Sequence, residues 1–575
     1  MNINSNGGEI VASFLHEKGT EYIFTLCGGH ISPILIGANN VGIRVIDVRH
    51  EATAVFAADA ITRLSDKPGI STVTAGPGLT NTITAVKNAQ MAQSPVILIG
   101  GATATILKNK GSLQDIDQIA LMSPHVKWAC SVKRICQIEK ALDKCFNIAY
   151  DGVTGPVFIE IPVDLLYPEK IVREWYGLSS ENNKQRVKQF YLNWHVKKLF
   201  NKKKFEFKPY FSSTSVSPKK YEVNNCIKMI RRANKPILLV SSQALLLAKN
   251  ALHLKDAIMK IGLPTYLSGT ARGLLGNYQN FFLHNRSKAL KQADLIILAG
   301  APLDFRLAYG RKIPQNTSII SINRCIHNLN LNRRPTLAVH ADPCQTILKI
   351  AKSWSYKNDN WKRWKKNLKT HEIYREKQIV DISNLKTKKI NSIALLMELK
   401  KIIKDDSIII VDGGDFAASA SYILKPRQPL SWLDPGPFGT LGVGAGFAIG
   451  AKLSKPDSDI WILYGDGSVG YSLTEFDTFY RHNLSVIGLV GNDAGWTQIK
   501  REQINIFKDD LATTLLNTNY HIAAEAYGGK GHLLNSLDNF GEIIKKLLLI
   551  SNSGQPVLIN AIIEETNFRK GSISI

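Results

Sequence analysis

Along the 575-residue chain, apolar runs of four to six residues alternate with longer stretches whose apolar positions recur every three or four residues. Runs of the first kind read as buried strands, and stretches of the second kind as helices laid on them. One block runs from Gly7 to Tyr167. Its strand candidates are Tyr22–Leu26, Ile43–Val48, Ile70–Thr74, Val96–Ile99 and Val157–Ile161, and Glu51–Leu64 reads as a helix. A second block, 219–350, offers Pro236–Val240, Leu295–Ala299 and Ser318–Ile322. A third, 391–575, offers Ser407–Val411, Ile460–Tyr464, Val486–Gly491 and Pro556–Ala561. This alternation predicts an α/β fold of three domains, each with a parallel sheet flanked by helices. No short-period repeat is visible.

Composition adds a charge question. The formal net charge is +25, which first points to nucleic acid or another anionic partner. Fifteen of those charges lie in two segments between the blocks. Twelve basic residues stand against three acids in 171–220, and seven against one in 351–370. Both segments read as linkers, and no zinc-finger or RNP spacing accompanies them, so nucleic acid is not an expected partner. The first linker interleaves Trp194, Phe200, Phe205 and Phe207 with Lys197, Lys198 and Lys202–Lys204. A helical connector with a solvated face is the plainer reading, and peripheral attachment to a membrane or anionic surface the sharper one. The seven cysteines are odd in number and lack Cys-x-x-Cys spacing, which favours free thiols in a reducing, intracellular setting. The longest apolar stretches, Pro95–Leu107 and Pro236–Ala248, fall short of the roughly 18 residues that span a bilayer.

The chemistry concentrates at strand ends. Gly465-Asp466-Gly467 follows a strand candidate, and Asn492 ends another after twenty-four intervening residues. Glycines there let backbone N–H groups approach phosphate oxygens. A carboxylate, an amide oxygen and a backbone carbonyl suit Mg²⁺ far better than Zn²⁺. Taken alone, Gly-Asp-Gly is equally a turn with Asp466 capping a helix. A dinucleotide site fails, because the glycine run 439–450 has Phe447 and Ile449 where the fingerprint needs glycine. Arg49-His50-Glu51 opens a small-residue helix, where a helix N-terminal charge is the plain role for Glu51. His50 and Asp493 receive no role.

Together these residues resemble the thiamine-diphosphate-dependent decarboxylase and carboligase superfamily. Thr74-Ala75-Gly76-Pro77-Gly78-Leu79-Thr80-Asn81 is similar to its turn beside the pyrimidine, and Gly439-Thr440-Leu441-Gly442 to the turn that props the cofactor into a V. Within the superfamily, Leu26–Pro33, Gly111–Gln118, Trp432–Leu441, Gly491–Gln503 and the ending Phe568–Ile575 are similar to the animal acetolactate-synthase-like branch, the 2-hydroxyacyl-CoA lyases. The resemblance implies a pyrimidine-binding domain at 1–170, a basic linker at 171–218, a middle domain at 219–350, a linker at 351–390 and a diphosphate-binding domain at 391–575.

It further implies thiamine diphosphate and Mg²⁺ as cofactors and cleavage of a 2-hydroxyacyl-CoA into formyl-CoA and an aldehyde one carbon shorter. The alternatives are acetolactate synthesis from two pyruvates, with a 2-oxo acid as substrate, and a non-catalytic scaffold. Glu51 would act on the aminopyrimidine. His30 would move the substrate's hydroxyl proton, although a loop histidine bonded to backbone is a plain alternative. Gln114 would stabilise a developing alkoxide. Cofactor contacts would fall to Glu51, Pro77, Asn81, Gly414, Asp415, Leu441, Gly465, Asp466, Gly467, Ser468 and Asn492. The metal would be held by Asp466, Asn492 and the carbonyl of Ala494. Leu441 is equally an ordinary core leucine. The active site would lie between subunits of a homodimer or homotetramer. Leu298–Leu307 stands where flavin-binding relatives carry part of that site, and no functional FAD is expected here. Family members are linked to the endoplasmic reticulum through an N-terminal apolar segment. The sequence starts almost directly with the first helix, so either that segment is missing from it or the protein is soluble, and a cytoplasmic location is the alternative.

Overall fold

The computed structural model describes residues 6–178, 186–201, 217–356 and 359–571. Lys202–Lys204, Phe205 and Phe207 of the basic stretch, and the last four residues of the ending, lie outside them. Compactness divides the chain into two units, one of residues 1–62 and 67–213, the other of 63–66 and 214–575.

The first unit holds a sheet of β1 (Tyr22–Leu26), β2 (Arg44–Asp47), β3 (Gly69–Val73), β4 (Val96–Ala102), β5 (Ala129–Ser131) and β6 (Val157–Pro162). The strands are all parallel, in the order β2-β1-β3-β4-β6-β5. The second unit holds two sheets. One has β7 (Pro236–Val240), β8 (Thr265–Leu267), β9 (Leu295–Ala299), β10 (Ser318–Asn323) and β11 (Leu337–His340), ordered β11-β10-β9-β7-β8. The other has β12 (Ile408–Val411), β13 (Trp432–Leu433), β14 (Ile460–Gly465), β15 (Val486–Asn492), β16 (Lys530–Leu534) and β17 (Val557–Ile562), ordered β13-β12-β14-β15-β17-β16. Three parallel sheets flanked by helices are the predicted α/β architecture.

Helices cover both faces of such sheets, so central strands are buried twice over and read as unbroken apolar runs. Every residue of β3, β4, β6, β7, β9, β12, β14 and β15 is buried. The strands without a sequence signal, β5, β8, β11, β13 and β16, all lie at sheet edges. They are two to five residues long, and β5, β11 and β16 are largely half-buried or exposed.

Ile23, Ile70, Ile97, Ile99, Val157 and Ile159 form the first core with Val11, Leu15 and Leu142 from helices. Val196, Leu199 and Phe200 join it, so the described part of the basic stretch is packed on this core rather than fully solvated. The tryptophans of the other lysine-rich segment are also buried. The Trp361 indole N–H donates to the Ala233 carbonyl at 2.9 Å and that of Trp364 to the Pro236 carbonyl at 3.1 Å. Among the described residues no helix is long and apolar enough to cross a membrane.

Open parallel sheets bind ligands beyond the carboxyl ends of their strands, where the strand order reverses. In the first sheet that point falls between β1 and β3, and in the third between β12 and β14.

Candidate active site

At the switch point of the first sheet, three loops meet. The loop after β1 carries His30, half-buried, whose Nδ1 lies 3.1 Å from the Thr74 hydroxyl after β3. Glycine makes this approach feasible: a Cβ on Gly28 would fall 2.5 Å from Thr74 Cβ, and one on Gly101 2.5 Å from His30 Cβ. Burial lowers the His30 pKa from 6.5, so the neutral imidazole is favoured near neutral pH. Glu51 is the first residue of its helix and is buried. Its Oε2 accepts a hydrogen bond from the Asn81 amide at 3.0 Å. His50 caps the same helix, its Nδ1 accepting from the Ala52 N–H at 3.1 Å. Gly76 takes φ +62, Pro77 begins the short helix behind it, and Asn81 ends that helix.

Gln114 adopts a left-handed backbone, φ +63. Its Cβ packs so closely on Gly76 that a Cβ there would stand 2.8 Å away. Gln114 also lines a cavity of about 370 Å³ at the ends of β4, β5 and β6, with Thr103, Lys108, Lys133, Gln118 and Glu160. Beneath it lies a buried network the sequence did not reveal. The Gly76 N–H donates to Gln118 Oε1 at 3.0 Å, and Gln118 Nε2 donates to the Gly101 carbonyl at 3.0 Å and to Glu160 Oε2 at 2.9 Å. Ser131 and Lys108 donate to Glu160 Oε1 at 2.7 and 3.1 Å. The Gly76 turn and the loop bearing Gln114 are thereby tied to the ends of β4 and β6.

At the switch point of the third sheet, backbone does most of the work. The Gly465 N–H donates to the Gly413 carbonyl at 2.8 Å, and a Cβ on Gly465 would meet that oxygen at 2.8 Å. Gly414 takes φ +104 and precedes the helix Asp415–Ile423, a conformation that favours glycine. A Cβ on Gly413 would fall 2.0 Å from the Leu441 side chain, which therefore leans over this glycine pair. Ser468 donates its hydroxyl to the Gly413 carbonyl at 3.0 Å. On Gly467, a Cβ would strike the Trp496 ring at 2.4 Å.

β14 and β15 pair with Gly465 opposite Gly491, so Asp466 and Asn492 follow side by side. The Asp466 carboxylate accepts from the Gly467 N–H at 2.8 Å and the Gly495 N–H at 2.9 Å. Burial still pushes its pKa up to about 6. The Asn492 amide nitrogen donates to the Thr518 carbonyl and to Asn560 Oδ1, each at 3.2 Å. Its Oδ1 is buried and accepts no hydrogen bond among the described residues. A buried oxygen without a donor, beside a carboxylate, suits a hard cation. Ala494 takes the left-handed φ +60, and its carbonyl already accepts from the Leu515 N–H at 2.8 Å, leaving one lone pair. Asp493 is pushed up to about 7, chiefly by burial, while accepting from the Thr497 hydroxyl at 2.6 Å.

Three further residues here had no sequence signal. Asp412 directly follows β12 and accepts from the Gly442 and Gly444 N–H groups, both at 2.8 Å. It anchors the turn carrying Leu441, and burial pushes its pKa up to about 7. Arg501 and Arg569 reach the buried Asp415 carboxylate at 2.7 and 3.3 Å, so that side chain is ion-paired within its own unit.

Three profiles match this chain: the N-terminal TPP binding domain of thiamine pyrophosphate enzymes over residues 5–121, their central domain over 223–350 and their C-terminal TPP binding domain over 412–561. 2-Hydroxyacyl-CoA lyase 2 of Danio rerio is 45% identical, across 99% of this chain and 93% of its own length. The Homo sapiens protein of the same name is 44% identical, across 99% and 92%. A probable acetolactate synthase of Mycobacterium bovis is 28% identical, across 97% and 95%.

Proposed function

Since the chain belongs to the thiamine pyrophosphate enzyme family, we propose that it is a thiamine-diphosphate- and Mg²⁺-dependent lyase cleaving 2-hydroxyacyl-CoA to formyl-CoA and an aldehyde one carbon shorter. The observation that carries the substrate class is the similarity to 2-hydroxyacyl-CoA lyase 2 along 99% of the chain. The acetolactate synthase relative, at 28% identity, stands much further off.

The donor set fits the metal. Asp466, the free Oδ1 of Asn492 and the remaining lone pair of the Ala494 carbonyl would hold Mg²⁺, all of them hard oxygens. Backbone around Gly414, Asp415, Gly465, Gly467 and Ser468 would receive the diphosphate, and Leu441 would brace the cofactor over Gly413. When bound, thiamine diphosphate supplies a nucleophilic carbon and a sink for the electrons of the broken C–C bond.

This chain's side chains do the rest. Glu51 would face the aminopyrimidine and share a proton with it, and the Asn81 amide, donating to Glu51 Oε2, would orient that carboxylate. Pro77 begins the short helix after the Gly76 turn, which would lie beside that ring. Neutral His30, with Nδ1 facing Thr74, offers Nε2 for the proton of the substrate's hydroxyl. Gln114 donates to the developing alkoxide. The first-sheet half of one chain would work with the third-sheet half of another, in a homodimer or homotetramer. The family's link to the endoplasmic reticulum is carried here as a proposal, and so is a flavin-free middle domain, which a flavin spectrum of the purified protein would contradict.

The test is turnover with thiamine diphosphate and Mg²⁺, offering 2-hydroxyacyl-CoA and pyruvate in parallel. Aldehyde and formyl-CoA are the expected products. Acetolactate alone would return the chain to the synthase reading, and the absence of both would overturn the enzymatic one.

A further inference from the structure

The helix Arg186–Leu199 presents apolar residues on two opposite sides. One side packs on the first core through Val196 and Leu199, and Leu192, one turn earlier, is buried as well. Polar contacts clamp it there. His195 Nε2 lies 2.8 Å from the Thr105 hydroxyl, which itself donates to the buried Asp164 at 2.5 Å, and Asn193 Oδ1 accepts from Arg173 at 3.0 Å. The other side carries Val187, Phe190, Tyr191 and Trp194, which are 86, 76, 51 and 51% exposed. Their spacing of i, i+3, i+4 and i+7 makes one stripe over two turns. A helix fixed by its inner face normally turns polar residues outward, and an aromatic stripe in that place signals a partner.

The charges around the stripe say which partner. Lys188, Lys197 and Lys198 are exposed, the helix contains no acidic residue, and the Lys198 ammonium sits 5.0 Å over the Trp194 ring. Trp and Tyr suit the boundary between hydrocarbon and headgroups, and lysines with long stems reach anionic headgroups from there. A second copy would fit poorly. It would set the same lysines against a chain of net charge +25.

We propose that the outer face of the helix Arg186–Leu199 seats this protein on an anionic membrane surface, with Val187, Phe190, Tyr191 and Trp194 dipping into the headgroup region and Lys188, Lys197 and Lys198 pairing with lipid charge. The contact is peripheral and salt-sensitive.

Co-sedimentation of the full chain with vesicles of phosphatidylcholine alone, and of phosphatidylcholine with about a third phosphatidylserine, tests it. Binding to the anionic vesicles should exceed that to the neutral ones by roughly tenfold or more and fall with added salt. The double variant Phe190→Ser/Trp194→Ser should lose roughly tenfold in anionic-vesicle binding, and Lys197→Glu/Lys198→Glu should lose the preference for anionic lipid. Both should keep the assembly mass of the unaltered protein. Wild-type-like vesicle binding by both variants, or no vesicle binding by the unaltered chain, overturns the proposal. A change in assembly mass without vesicle binding also overturns it, and assigns the face to a second copy. If the variants fail to fold, hydrogen exchange on the unaltered protein decides: anionic vesicles should protect 186–199, and unchanged exchange there refutes the contact.

Discussion

Numbering the strands of each sheet in chain order, the first and third sheets share one arrangement, 2-1-3-4-6-5, and both place their conspicuous residues where that order reverses. What they place there differs. In the first sheet, side chains of unlike character meet: a carboxylate on a carboxamide, Glu51 with Asn81, and an imidazole beside a hydroxyl, His30 with Thr74. In the third, backbone approaches backbone at Gly413 and Gly465, and buried acids are held by N–H groups. In the proposed reaction the first arrangement would move protons, and the second would receive oxyanions and a hard cation. On this reading one topology would support two chemistries, set by the residues at and just beyond the ends of its strands.

If this division is right, the two crevices fail in different ways. Glu51→Gln should lower turnover by roughly 10²–10⁴-fold while cofactor binding, followed by calorimetry, stays near that of the unaltered protein. Asp466→Ala should show the reverse pattern, with Mg²⁺-dependent cofactor affinity falling by roughly 100-fold or more. Equal loss of affinity in both variants would erase the distinction.

Subtler tests probe the supports. Gln118→Leu strands the Gly76 N–H and one oxygen of Glu160, and should cost about 1–3 kcal/mol in denaturant unfolding of the first unit. An unchanged unfolding midpoint would mean the network holds nothing in place. The smallest effect concerns pH. Burial depresses the His30 pKa below 6.5, so the neutral imidazole survives to lower pH than in the unfolded chain. Between the two values the unfolded chain binds more protons, so this group's contribution to stability is present above 6.5 and is lost as pH falls through the depressed value. Turnover that needs neutral His30 should therefore show its acid limb below pH 6.5, and a limb above that value would contradict the assignment.

How much of this was legible follows the range of the interactions. β14 and β15 stand out because both faces of the third sheet are covered; Gly465 and Asn492 end them and Asp466 follows β14 directly, so a local pattern marks the crevice. β5 and β16 are edge strands with mixed burial, and no apolar run announces them. Gln118 meets Glu160 across 42 positions, and Arg569 meets Asp415 across 154. Neither pairing has a periodicity, so only the folded chain brings them to view. The shared strand order of the two sheets was also hidden, because topology repeats here without a repeated motif.

We propose above all that the two crevices are complementary halves of one site, joined between subunits. Mixing Glu51→Gln and Asp466→Ala chains under subunit exchange tests it directly. Each parent should be nearly inactive with 2-hydroxyacyl-CoA. In randomly reassorted dimers half the pairs are mixed and each mixed pair regains one of its two sites, so activity should return to about a quarter of the unaltered level. Continued inactivity after proven exchange would contradict the account, because it would mean that each chain must supply both halves of its own site.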